Sequence, residues 1–159
     1  MPTISIDDFL SNVKALFQET FEGTEGEASQ YIDGKGHGSL LETLDRTDSG
    51  LASRSLKAGG ATIAAHTEHL RYYVQTLRRF MADEHGVQPD WPGSWQTRAV
   101  TPGEWEVLKA AVRAEVAALL GDLGRIDTWD DERIGGTLSI LAHSAYHLGA
   151  IRLLSVTLS

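Results

Sequence analysis

The chain has 159 residues, 14 basic and 22 acidic side chains, a net charge of −8, six His and no Cys. That length serves one domain, residues 1–159, able to bury its own core, and 42% apolar with 23% charged residues is a globular composition. The missing Cys excludes disulfides, thiolate metal centres and a Cys nucleophile, and net negative charge in both halves argues against nucleic acid, which needs a basic face.

Four long helices and no strand are predicted. The first runs from about Ile6 to Glu22, with Ser5 as N-cap, Asp7 and Asp8 at the positive end of the dipole and Gly23 as its stop. Phe9, Val13, Leu16, Phe17 and Phe21 form its apolar stripe. Residues 23–60 are broken by Gly34, Gly36, Gly38, Gly50, Gly59 and Gly60. Within them Ser39-Leu40-Leu41-Glu42 reads as a capping box opening a short helix over Leu40–Leu44, which Thr47-Asp48-Ser49-Gly50 should end.

The second long helix is predicted over Ile63 to Ala82, its stripe formed by Ile63, His66, Leu70, Val74, Leu77 and Met81. Thr101-Pro102-Gly103-Glu104 then supplies cap, N1 proline and N3 carboxylate for a third helix reaching about Leu123. Its inward residues are Trp105, Leu108, Val112, Val116 and Leu119. The fourth is predicted from about Gly136 to Val156, with Ile140, His143, His147, Ala150, Ile151 and Leu154 on one face.

The connection from Asp83 to Val100 is long for a helical domain. Extended, it easily crosses the roughly 30 Å of a helix this long, so the second and third helices can lie parallel. It carries Trp91-Pro92-Gly93-Ser94-Trp95, whose indoles are expected to pack across the bundle or form a lid. The acidic N-terminus lacks a secretory pattern, and the uncharged run from Ile134 to Ile151 holds two His, two Ser and three Gly. A cytoplasmic protein with no membrane span is expected.

The histidines carry the chemical signal. His143 and His147, four apart, stack on one helix face, and His66 and His69 sit three apart near the stripe of another helix. Two inward pairs point to an expected interhelical metal site between the second and fourth helices. Neutral imidazoles with an open position suit zinc, nickel or iron(II), whereas the bland reading is a set of hydrogen-bonded core histidines. His37, in a Gly-rich stretch, and His85, at a helix end, are expected at the surface.

Ala61-Thr62-Ile63-Ala64-Ala65-His66-Thr67-Glu68-His69-Leu70 resembles the second-helix motif of the DinB/YfiT-like metalloenzyme family, the damage-inducible DinB-like helical proteins. His143-Ser144-Ala145-Tyr146-His147-Leu148-Gly149-Ala150-Ile151-Arg152 resembles their fourth-helix motif. The resemblance implies an all-α four-helix bundle of up-down-down-up order, with its long connection between helices 2 and 3. It also implies a mononuclear three-His centre, one ligand from the second helix and two from the fourth. The family His precedes an aliphatic residue, which maps to His69 before Leu70, and the pair maps to His143 and His147. The helical wheel instead sets His66 nearer the centre of the apolar face. Motif register favours His69, with His66 kept as a pocket-lining residue or alternate ligand.

Such a centre acts as a Lewis acid or lowers the pKa of bound water. Related branches of the superfamily use low-molecular-weight thiols, which implies thiolate activation as the other route. The expected function is therefore metal-dependent, hydrolase-like or thiol-transferase-like, on an unidentified small-molecule substrate; the rival is a non-catalytic bundle that binds a small ligand or metal. Glu68 points about 100° away from His69 and reads as solvated. Tyr146 reads as a core or pocket-lining Tyr, Arg152 as a surface Arg or an anion contact, and Trp91 and Trp95 as loop anchors or a cover. Ser144 has no Asp-oriented partner for a hydrolase triad. A homodimer is expected, because helical bundles often bury an outer apolar stripe between copies, and the resemblance implies the same.

Overall fold

The computed structural model describes residues 3–24, 29–32, 38–86 and 88–159; His37, Gly34 and Gly36 lie outside them. All regular structure in these residues is helical: α1 (Ile6–Phe21), α2 (Leu40–Asp45), α3 (Ser49–Ala52), α4 (Ile63–Met81), α5 (Pro102–Leu123) and α6 (Asp131–Leu158). A 3-10 turn, Gly93–Trp95, interrupts the connection between α4 and α5. None of these helices is long and apolar enough to cross a membrane.

Each start has a side-chain cap that satisfies an otherwise orphaned backbone N–H. Ser5 accepts from Asp8 N, Thr62 from Ala65 N, and Asp130 from Arg133 N. Ser39–Glu42 and Thr101–Glu104 close two-way capping boxes, the second with Pro102 at its first turn. Gly23, at φ +94°, turns the chain out of α1 through a conformation that only Gly adopts freely.

Two boundaries differ from the sequence reading. The Thr47–Gly50 cluster ends α2 but also opens α3, because the Asp48 carboxylate accepts from Leu51 N at 2.7 Å. The fourth long helix starts five residues early, at Asp131. The Gly135–Gly136 pair does not stop it, since Gly136 faces inward: a Cβ there would lie 2.9 Å from Met81 Cγ. The glycine permits α6 to approach α4 closely.

The core joins all four long helices. Phe17 and Phe21 of α1 stack at 6.0 Å, and Trp105, Leu108, Val112, Val116 and Leu119 of α5 are buried as their spacing predicts. Trp105 keeps its indole N–H bonded to Thr47 O at 2.6 Å. Leu16 and Phe9 are only half-buried. Glu19 is an unanticipated buried carboxylate. It accepts from Ser29 Oγ at 2.6 Å and from the backbone N–H groups of Gln30, Tyr31 and Ile32. Burial pushes its pKa up, but these four donors outweigh that, and the carboxyl ends below its ordinary range.

Candidate metal centre

α4 and α6 are the most closely associated pair of helices, and the histidines lie along their seam. His69 is 7% exposed and His147 only 1%, while His66 and His143 are half-buried. The ring centroids of His69 and His143 are 5.1 Å apart, those of His69 and His147 5.1 Å, and those of His143 and His147 4.4 Å. One ring nitrogen from each of the three lies within 4.8 Å of the others.

His66 is brought to the same place but plays a different part. Its Nδ1 sits 2.9 Å from His147 Nδ1, so one ring donates and the other accepts. The predicted stripe is inward, with Ile63, Leu70, Val74 and Met81 buried, but α4 also buries a second face through Ala65, His69 and Thr76, which the wheel left out. Small Ala64 and Ala65 also pack inward, and they carry little weight in a hydropathy wheel.

The long connection supplies groups that sequence reasoning missed. Ser94 Oγ donates to Trp91 O at 2.7 Å and lies 2.7 Å from His69 Nδ1. With its one hydrogen committed to the carbonyl, the hydroxyl accepts, so His69 carries its proton on Nδ1 and presents the Nε2 lone pair. Trp95 stacks on His69 at 4.1 Å and meets His66 edge-on at 5.2 Å, covering the cluster as the lid reading anticipated. Trp91 packs between Tyr72 and Tyr73. Tyr73, expected beside the inward stripe of this helix but given no site role, stacks on His143 at 3.7 Å. Only the Trp-rich composition of this loop signalled that it would be anchored; nothing in sequence singled out Ser94.

The cluster is electrically neutral. Burial, then the neighbouring His69, pushes His143 down to about 4, and burial with His143, His66 and His69 pushes His147 down to about 3. Burial also lowers His66 and His69. Nε2 of His143 is buried with no hydrogen-bond partner. An orphaned imidazole nitrogen is costly unless something occupies its lone pair. Three converging neutral imidazoles, one orphaned, are a donor set that fits a borderline first-row divalent ion.

Other expected residues lie elsewhere. Glu68 makes a bidentate pair with Arg71 at 2.8 Å and faces away from the cluster. Tyr146 is 69% exposed and touches His147 only edge-on from outside, at 5.1 Å; one residue before an inward His, it turns about 100° to the outer face, so it is neither a core nor a pocket-lining Tyr. Arg152 donates to Ile32 O at 3.0 Å. Ser144 is buried, with its hydroxyl unpartnered. His85 is exposed, 3.7 Å from Glu132. No known family model, curated protein or solved structure matches the chain.

Proposed function

We propose that the chain is a metal-dependent enzyme whose divalent ion is held by His69, His143 and His147, with His66 and Ser94 as positioning residues. The observation that carries this reading is the orphaned, buried Nε2 of His143 beside two inward-facing imidazoles. Each of those two has its far nitrogen tied to a partner: His69 to Ser94, and His147 to His66. Fixing the far nitrogen selects the tautomer and aims the near one, the usual arrangement around a metal. If His147 donates from Nδ1, His66 accepts at Nδ1 and holds its own proton on Nε2.

When bound, a divalent ion supplies Lewis-acid stabilisation of an anionic group on a small molecule. The chain's own contribution is neutral, so the ion's charge stays uncompensated and favours an anion. Trp95 and Tyr73 exclude water from two sides, which strengthens that attraction. No Asp or Glu belongs to the His cluster among the described residues, and Glu68 is committed to Arg71. A reaction needing no protein carboxylate as base is therefore favoured: a low-molecular-weight thiol or a water held at the ion would release its proton to solvent, so the thiol-transferase-like and hydrolase-like routes both meet that condition. The substrate is a small molecule rather than a nucleic acid, in keeping with the net charge of −8, and the setting is the cytoplasm.

The DinB-like bundle is part of the same reading. Arg78 reaches Glu115 and Asp122, so the C-terminal halves of α4 and α5 lie together, as a parallel pair requires. His66 meets His147 and Met81 meets Thr137, the pairing of an antiparallel α4 and α6. Phe9 of α1 packs on Trp129, just before α6, at 5.4 Å, in keeping with α1 parallel to α6 and an up-down-down-up order.

Metal analysis of protein purified without an affinity tag tests the proposal. About one equivalent of zinc, nickel or iron is expected, lost in His143→Ala and His147→Ala. A chain that neither holds nor takes up metal refutes it. Bound metal without turnover on a panel of thiol conjugates and hydrolysable esters points to the non-catalytic binding protein.

A further inference from the structure

α6 is apolar on two sides. Its inner side holds the histidines and core residues such as Ile140, Leu148 and Ile151. Its outer side exposes Leu138 at 46%, Tyr146 at 69%, Leu153 at 63% and Val156 at 81%. No Asp, Glu, Lys or Arg occurs from Ile134 to Ile151. At 100° per residue the exposed apolar positions, with Gly135, Ala142 and Gly149, fall within an arc of about 100°. They form one continuous stripe, on the order of 500 Å², at the upper end of what a monomer leaves in water.

The two exposed glycines of this stripe have no role inside the chain. A Cβ at Gly135 or Gly149 would meet nothing within 4 Å, and neither has the positive φ that a turn requires. Glycine inside a helix is unfavourable relative to alanine, so these positions point to a close neighbour outside the chain.

The spacing fits a second copy of the chain. The stripe is symmetric about the midpoint between positions 145 and 146: Gly135 mirrors Val156, Leu138 mirrors Leu153, Ala142 mirrors Gly149, and Ala145 mirrors Tyr146. We propose that α6 packs antiparallel against α6 of a second copy, about a two-fold axis at that midpoint. Each large side chain then lies over a small residue, or Leu over Leu, and the Ala142–Gly149 pairs, one turn to either side of the axis, let the backbones approach closely. A two-fold interface must be self-complementary, a condition that a different partner does not impose. Pairing the stripes and their rims removes about 1,000 Å² or more from water, the lower bound for a stable interface. Antiparallel helices also align their dipoles favourably. His143 and His147 project about 100° and about 140° round α6 from the middle of the stripe, so association would brace from its outer side the helix that carries both.

Sedimentation equilibrium of the full chain tests the interface, with a mass of twice 17.3 kDa expected. Leu153→Glu places two charges in the seam and raises the dissociation constant by about 100-fold or more. Its melting temperature as a monomer stays near that of the dissociated parent, because position 153 is open to water. The chain has no Cys, so introduced ones report register cleanly. A Leu138→Cys and Leu153→Cys double variant is expected to form covalent dimers on oxidation. Each single variant does not, since identical positions stand about 22 Å apart, beyond disulfide reach. Gly149→Ala gives effects of opposite sign: in the Leu153→Glu monomer it raises the melting temperature by about 2 °C, and in the parent it weakens the dimer. A parent that stays monomeric at high concentration, or a dimer indifferent to Leu153→Glu, overturns the proposal. So does cross-linking of single variants in place of the mirrored pair.

Discussion

Replacing Ser94 by Ala separates the two things its hydroxyl does. It gives its hydrogen to Trp91 O and accepts from His69 Nδ1, both at 2.7 Å. The alanine variant leaves a buried imidazole N–H with no acceptor, a loss of about 1–3 kcal/mol in the metal-free protein. It also frees His69 to adopt the other tautomer, with Nε2 protonated and unable to bind metal. Removing such an outer contact lowers metal affinity by about 10- to 100-fold, or about 1.4–2.7 kcal/mol. Two assays apply: urea melts of the metal-free protein, and competition with a chromophoric chelator for metal. Nitrogen NMR of the imidazoles gives a direct check, with His69 protonated at Nδ1 in the parent. Ser94→Thr, which keeps the hydroxyl, should restore most of the affinity. A folded Ser94→Ala protein with metal affinity within about threefold of the parent would refute the reasoning, as would a parent His69 protonated at Nε2.

His143→Leu should bind metal poorly yet stabilise the metal-free chain by about 1 kcal/mol, because it removes an orphaned buried nitrogen; destabilisation in a urea melt contradicts that account. Glu19→Ala strands four donors and is expected to cost about 3 kcal/mol or more, again read by urea melts. The Glu19 pKa lies below its ordinary 4.5, so its stabilisation is complete above that value and is lost as pH falls below it. Glu19→Gln should flatten the acid limb of a melting-temperature profile. His143 and His147 act at higher pH. Their folded pKa values, about 4 and about 3, lie below the ordinary 6.5, so the unfolded chain binds more protons between those limits. Metal-free stability should therefore fall as pH drops below about 6.5, with a slope approaching about 1.4 kcal/mol per pH unit for each histidine; a flat profile between pH 6.5 and pH 4 contradicts the buried, neutral cluster.

What was legible in the sequence follows from how local each signal is. Capping residues announce themselves within four positions, so the starts of α1, α2 and α5 could be read directly from Ser5, Ser39 and Thr101. The start of α6 could not. Asp130 caps it, but Gly135 and Gly136 look like a stop until Met81 is known to lie against the second of them. The same limit divided the histidines. Spacing placed His143 and His147 on one face, which is a property of one helix. Choosing between His66 and His69 needed the rotation of α4 about its axis, which Ala64, Ala65 and the partner helix decide together. The idealised wheel set His66 on the inward stripe, where it meets His147, and motif register pointed to His69, whose ring nitrogen converges with those of the pair.

The connection between α4 and α5 changes meaning once the geometry is known. In sequence it is a span, long enough to let two helices run parallel. In the fold its 3-10 turn holds Ser94 and Trp95 against α4, and those two residues set the tautomer and the cover of His69. Helices alone leave a His with a free choice of protonated nitrogen; a loop with one hydroxyl, its hydrogen already committed to Trp91 O, removes the choice. The two fixed histidines draw on different parts of the chain for this, His69 on the connection and His147 on α4 itself through His66. His143 draws on neither: its ring is held by stacking on Tyr73, and its buried nitrogen has no protein partner. That asymmetry makes His143, among the proposed ligands, the one with most to gain from metal and the one whose removal tests the proposed centre most cleanly.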